Sequence, residues 1–259
     1  MKLGFFIVLA ATGCASAGKG DEIGGRPDGG GIHLLDSDNS EPRPDADLTD
    51  APPLIDAAAG QQTMTLTQTN DQTMTSNNSL ACGTAPPDIG TTENTYYRVY
   101  DLASLHITTD FTVQSITFQV EDCESNSTTD CAPVAVRVGT YAGTVGETLQ
   151  KNKITYLASN NNVQVPTVVE TASGSPGATV TAPISATIPG SSKMIIALDA
   201  PDGTNTYQFY IGSNTGGQTG IGYISSPNCP NPGTTPTDIG NVPSPPADID
   251  ILLSVTGSY

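Results

Sequence analysis

Tryptophan is missing from this chain of 259 residues, histidine occurs 2 times, and lysine and arginine together number only 9. Each shortage removes a class of function. Nucleic-acid binding rests on lysine and arginine set against phosphate, whereas 26 carboxylates give this chain a formal charge of −17; such a surface repels phosphate backbones. Nucleophilic catalysis needs a base beside the nucleophile. His106 is the candidate in the patterned region, with Asp110 nearby in DLASLHITTDF, but no G-x-S-x-G elbow accompanies them. No C-x-x-C is present, so zinc chemistry has no scaffold. No apolar run approaches the ~20 residues that span a bilayer, and no helical period persists for a dozen residues. Paired carboxylates occur as Glu121, Asp122 and Glu124, and as Asp248 and Asp250 on one face of a strand. In so acidic a chain they read as solvated faces. The residues thus point to no enzyme and no cofactor.

What is present begins with cysteine, of which there are 5. Cys14 follows Lys2 and the apolar run LGFFIVLAATG, the layout of an export signal. The stretch Ala11-Thr12-Gly13-Cys14 resembles the lipobox of bacterial lipoproteins, departing from it in having Ala11 where leucine is commonest. The resemblance implies cleavage before Cys14, palmitate and related acyl chains on the thiol, and attachment to the cell envelope. Ala15 after the cysteine resembles an outer-membrane rather than an inner-membrane signal. Ala15-Ser16-Ala17 is a rival A-x-A site; cleavage after Ala17 would release a soluble, secreted product. With Cys14 set aside, Cys82, Cys123, Cys131 and Cys229 form an even set suited to disulfides in an exported chain. Cys123 and Cys131 bracket the polar loop ESNSTTD, which pairs them and leaves Cys82 with Cys229.

Three regions follow: a signal over 1–13, a tether over 14–61 and a folded domain over 62–259. The tether is rich in Gly, Pro, Asp and Ala, as in SDNSEPRPDADLTDAPPLIDAAAG. That composition predicts a disordered, self-repelling linker spanning about 35–40 Å. Beyond it, short alternating segments recur between turn residues. They are Thr63 to Thr67, Thr95 to Leu102, Thr112 to Val120, Val134 to Tyr141, Ile154 to Leu157, Val163 to Val169, Ala178 to Ile188, Lys193 to Leu198, Tyr207 to Ile211, Ile221 to Ile224 and Ile249 to Val255. A bulge is expected between Val113 and Ile116. The pattern predicts an all-β, two-sheet antiparallel β-sandwich of jelly-roll type, with its first and last strands neighbours.

Two loops are candidate sites. GSNTGGQTG over 212–220 carries Ser213, Asn214 and Gln218, with Tyr210 and Tyr223 flanking it. Neutral amides and hydroxyls beside aromatic rings suit sugar hydroxyls. Asp199, Asp202 and Asn205 surround a PDG turn and form a candidate oxygen site for Ca²⁺, although tight turns demand the same residues; no metal is assigned. The motifs NSLACG, NTYYRVYDL, ITTDFTVQSITFQVE, VAVRVGTYAG, IPGSSKMIIAL, FYIGSNTGGQTGIGYI and DILLSVTG are similar in order to an accessory module of secreted bacterial proteins with no established activity. That resemblance also implies a Cys82–Cys229 bridge. The expectation is therefore a lipid-anchored, non-catalytic module facing the cell surface or periplasm and binding a glycan or an envelope protein. A structural envelope lipoprotein without specific ligand is the alternative.

Overall fold

The computed structural model describes residues 61–83, 90–125, 131–169, 176–242 and 249–259. The signal, Cys14, the tether, the tip of the ESNSTTD loop and Asp248 lie outside the described residues.

Alternation of apolar and polar residues builds two antiparallel sheets. One contains β1 (Thr63–Leu66), β3 (Phe111–Ser125), β6 (Ala178–Ile188), β8 (Tyr207–Ile211) and β13 (Leu253–Ser258). Its order is β1-β13-β3-β6, and β8 takes over from β13 along the second half of β3. The other sheet contains β2 (Asn94–Asp101), β4 (Val134–Tyr141), β5 (Ile154–Val163), β7 (Lys193–Ala200), β10 (Gly222–Ser225) and β11 (Thr237–Asp238), in the order β11-β10-β2-β7-β4-β5. Short β9 (Ser213–Asn214) and β12 (Asp250–Ile251) pair with each other. The paths β1-β13-β3-β6 and β2-β7-β4-β5 are the two four-stranded halves of a jelly roll. The segment between β8 and β13 is an excursion that adds β10 and β11 outside β2.

Two expectations meet their outcome in the registers. The first and last strands pair, Thr63 opposite Ser258, and the pairing of β3 with β6 shifts between Val113 and Ser115, where a bulge is expected. One differs: β5 continues through the polar run 159–162 to Val163, and 164–169 forms no strand beyond a bridge from Val168 to Cys123. An edge strand needs apolar residues on only one side, so polar side chains do not end it.

Phe111, Val113, Ile116, Phe118 and Val120 of β3 meet Tyr96, Tyr100, Val136, Val138, Met194, Ile196 and Leu198 of the six-stranded sheet in the main core. A second, smaller cluster of Tyr97, Val99, Tyr141, Leu149, Ile195, Ala197 and Tyr223 covers part of the six-stranded sheet's opposite face. Two disulfides staple the domain: Cys82–Cys229 with Cα atoms 6.2 Å apart, and Cys123–Cys131 with Cα atoms 5.9 Å apart.

Candidate ligand groove on the outer face of the six-stranded sheet

The second cluster leaves part of that outer face open, and strand register decides what stands there. Tyr97 of β2 is opposite Ala197 of β7, which is opposite Arg137 of β4, which is opposite Ser159 of β5. One row away, Thr95 is opposite Asp199, and Asp199 is opposite Ala135. Small side chains in the middle of the sheet and large ones on either side make a groove. Its inner part, about 160 Å³, is lined by Glu93, Thr95, Tyr97, Arg137, Lys151, Ile154 and Tyr156. It runs past Arg137 into an open part of about 570 Å³ over Ala135, Ser159 and Asp202.

Arg137 and Asp199 organise the groove. The guanidinium donates through Nε to Asp199 Oδ2 and through Nη2 forms an ion pair with Oδ1, a two-pronged contact. Thr95 donates its hydroxyl to Asp199 Oδ1 at 2.8 Å. The guanidinium carbon lies 4.6 Å from the centre of the Tyr156 ring, within cation–π range. Partial burial would lower the Arg137 pKa, but the Asp199 carboxylate outweighs it and the net shift is upward. Burial also raises Tyr97, whose hydroxyl is 3.1 Å from that of Ser225, and Tyr156. Lys151 comes from the short 3₁₀ turn Lys151–Lys153 that precedes β5. Its pKa is lowered by burial first and by Arg137 as well, against the opposing pull of Glu93 and Asp199. Thr95, Tyr97, Tyr156 and the Arg137–Asp199 pair are therefore gathered with Glu93 and Lys151 around one recess.

The loop over 212–220 is built differently from what its composition suggests. Ser213 and Asn214 are buried in β9. Ser213 accepts from the Asn78 amide at 3.0 Å and donates to the Asn78 carbonyl at 2.6 Å, while Asn214 donates to the Asp71 carbonyl at 2.6 Å. Tyr223 is fully buried in the second cluster and donates to the Gly146 carbonyl at 2.9 Å. Tyr210 is half-buried on β8, and Gln218 is exposed but accepts from Arg98 at 3.3 Å. A Cβ at Gly212 would stand 2.7 Å from the Gln119 Cβ, and Gly217 has φ +86°. The glycines serve close packing and a turn, and the loop does not present its polar side chains as one platform.

The other candidates disperse too. Asp199 is committed to Arg137 and Thr95; Asp202 caps its own turn, accepting from the Thr204 amide at 2.9 Å and hydroxyl at 2.6 Å. Asn205 supplies a left-handed turn position, φ 63°. Among the described residues no cluster of carboxylates, histidines or cysteines suits a metal. His106 is an exposed turn residue with φ 60°, and Asp110 accepts from the Gly190 amide at 3.3 Å. The solvated-face reading of the carboxylates is corrected: Glu121, Asp122 and Asp250 are buried. Asp122 accepts from Gln208 at 2.6 Å and Glu121 from the Asn77 amide. A bulge in the pairing of β3 with β8, between Val120 and Asp122, accompanies them.

Sequence reasoning missed Arg98, which is wholly buried. It donates to Gln68 Oε1 at 3.0 Å, to the Gly220 carbonyl at 3.1 Å and to the Ile251 carbonyl at 2.7 Å. The signal was there: in NTYYRVYDL, Arg98 alternates in phase with the core tyrosines Tyr96 and Tyr100.

No protein-family model matches the chain, and no curated protein does. Among solved structures it is similar to the cysteine protease and lectin-like domains of Cwp84, a surface layer associated protein of Clostridium difficile, at 16% identity and a TM-score of 0.41. The match covers 66% of this chain and 33% of that chain, so this chain spans about a third of that protein's structure. A likeness of that degree says nothing of ligand or activity.

Proposed function

We propose that the chain is an exported, lipid-anchored module that holds a glycan-binding jelly roll away from the cell envelope on an acidic tether. The groove around Arg137 and Asp199 carries the binding half of this reading. It combines an open shape with a paired donor and acceptor, Arg137 lining both parts and Asp199 the open part, and with Tyr97 and Tyr156 in the inner part. Sugars are bound by such mixtures, in which polar groups fix the hydroxyls and aromatic carbon covers the ring. The two disulfides support export, because such bonds persist in oxidising compartments. The Cys14 motif supports the anchor, since several acyl chains hold a protein durably where one binds marginally.

Calorimetric titration of the folded domain with glycan oligomers tests the groove. Binding that is lost in Asp199→Ala and in Tyr156→Ala, both with unchanged melting temperature, is the expected result. Binding untouched by either, or none across a glycan array, overturns it and leaves the structural envelope role. For the anchor, Cys14→Ala is expected to move the protein from the membrane to the soluble fraction. Mass spectrometry of the mature N-terminus separates cleavage before Cys14 from cleavage after Ala17.

A further inference from the structure

The groove has two unlike ends, and strand register locates them. Side chains two apart on a strand share a face, so rows can be followed across β2, β7 and β4. Thr95, Asp199 and Ala135 form one row; Tyr97, Ala197 and Arg137 form the next. Thr95, Tyr97 and Arg137 line the inner part. The row after that is Val99, Ile195 and Gly139, and there the groove stops. Val99 and Ile195 are buried in the second cluster with Tyr141 and Leu149, and no member of that row lines either part. Ile154, packed against the same cluster, and Lys151 of the preceding turn complete the end wall. Lys151 also borders a recess against Thr234, Thr235 and Pro236. No strand residue lines that recess, so it does not continue the groove over the sheet.

The opposite end is open. β2 begins at Asn94, β4 begins at Val134 and β7 finishes at Ala200. Glu93, Pro133, Pro201 and Asp202 therefore stand at the rim of the sheet, where they line the open part with Ser159 and Asn161. Among these, Glu93, Ser159, Asn161, Pro201 and Asp202 are exposed. The inner part, about 160 Å³, is less than a third of the 570 Å³ open part. It also falls below the roughly 300 Å³ at which pockets begin to hold drug-sized ligands. It has room for one sugar ring and none for a chain passing through.

Charge adds a second restriction. Across both parts Glu93, Asp199 and Asp202 stand against Arg137 and Lys151, and Asp199 is already committed to Arg137 and Thr95. A single carboxylate in excess is too little to select a charged chain. Sugar hydroxyls, which both donate and accept, suit such an alternation of donors and acceptors. We infer that the groove is blind and takes the free end of a neutral glycan, with the terminal ring in the inner part and the rings behind it in the open part. The inference rests on the glycan reading and narrows it to chain ends.

The test counts bound protein per glycan chain. The chain from Ala15 to Tyr259, with its disulfides formed, is titrated calorimetrically with linear gluco-, manno-, galacto- and xylo-oligosaccharides, each as disaccharide, hexasaccharide and long polymer. One protein per chain at every length is the expected result, with affinity levelling off after the first few rings. A count that climbs with chain length means that interior rings are bound; it overturns the blind end and leaves the glycan groove standing. Binding of none of these sugars overturns both. Ile154→Trp, which fills the inner part, should weaken disaccharide and hexasaccharide alike by about ten-fold, the scale of overfilling a packed site. Ser159→Trp, in the open part, should weaken the hexasaccharide alone. Ile154 is half-buried, so melting is measured beside binding, and the count per chain is made on the parent protein. Undiminished binding by a folded Ile154→Trp variant also overturns the inference.

Discussion

Arg98 is the residue on which several distant segments converge. One guanidinium joins Gln68 after β1, Gln218 and Gly220 in the glycine-rich loop, and Ile251 of β12. Desolvation pulls its pKa down, opposed by Tyr100 and Asp250. A buried charge of this kind is costly to install and more costly to orphan. Arg98→Met is expected to destabilise the domain by about 3–5 kcal/mol, because the carbonyls of Gly220 and Ile251 then lose their donor and the buried Asp250 loses a nearby positive charge; urea denaturation measures it. Arg98→Lys should recover only part of the loss, since one ammonium cannot reproduce the planar fork. The buried tyrosines give a pH signature. Burial raises Tyr96, Tyr100 and Tyr207 above the ordinary 10.0, and Tyr223 to about 12. A phenol raised in the folded state keeps its proton where the unfolded chain has lost it. Stability is therefore fully present below pH 10 and is lost as pH rises toward 12. Tyrosinate absorbance should rise together with loss of β circular dichroism; early, independent ionisation of these phenols would contradict this.

Elements were legible where one residue in two is apolar. The strand TVQSITFQV shows its core face directly, including the slip that the bulge absorbs. The cysteines were legible by counting and by loop length. The groove was not, because it is assembled from β2, β4, β5, β7 and the turn before β5, and no sequence window contains it. The 212–220 loop misled for the opposite reason: its polar residues are adjacent in sequence, yet Ser213 and Asn214 turn inward to satisfy Asn78 and the Asp71 carbonyl. Composition reports which groups are available, and packing decides which of them face water. The disulfides differ as elements too. Cys82–Cys229 closes a separation of 147 residues and Cys123–Cys131 one of 8. In the chain-entropy account these are worth about 5 and about 2–3 kcal/mol. Replacing Cys82 and Cys229 by serine should therefore lower the urea midpoint more than replacing Cys123 and Cys131; the reverse order would mean the short loop has a packing role.

At the scale of the whole molecule, charge and shape divide the labour between the faces. One sheet offers a neutral hydroxyl surface over β1, β13, β3 and β6; the other, with the turn before β5, holds Arg137 and Lys151 beside the groove. The domain boundary inferred from composition predicts a simple digest. Limited proteolysis of the mature protein is expected to remove the tether and leave a resistant fragment beginning near Gln61, read by intact mass. Cleavage first within the sandwich would contradict that division. A separate consequence follows from how β1 meets β13. Gln62 and Tyr259 exchange both backbone hydrogen bonds, each 3.1 Å, so the chain enters and leaves the domain through a single doorway. A linker of a few residues could join these two points and new ends could be cut in a surface turn. Equally, the whole module could be spliced into one loop of a host protein without prising that loop apart.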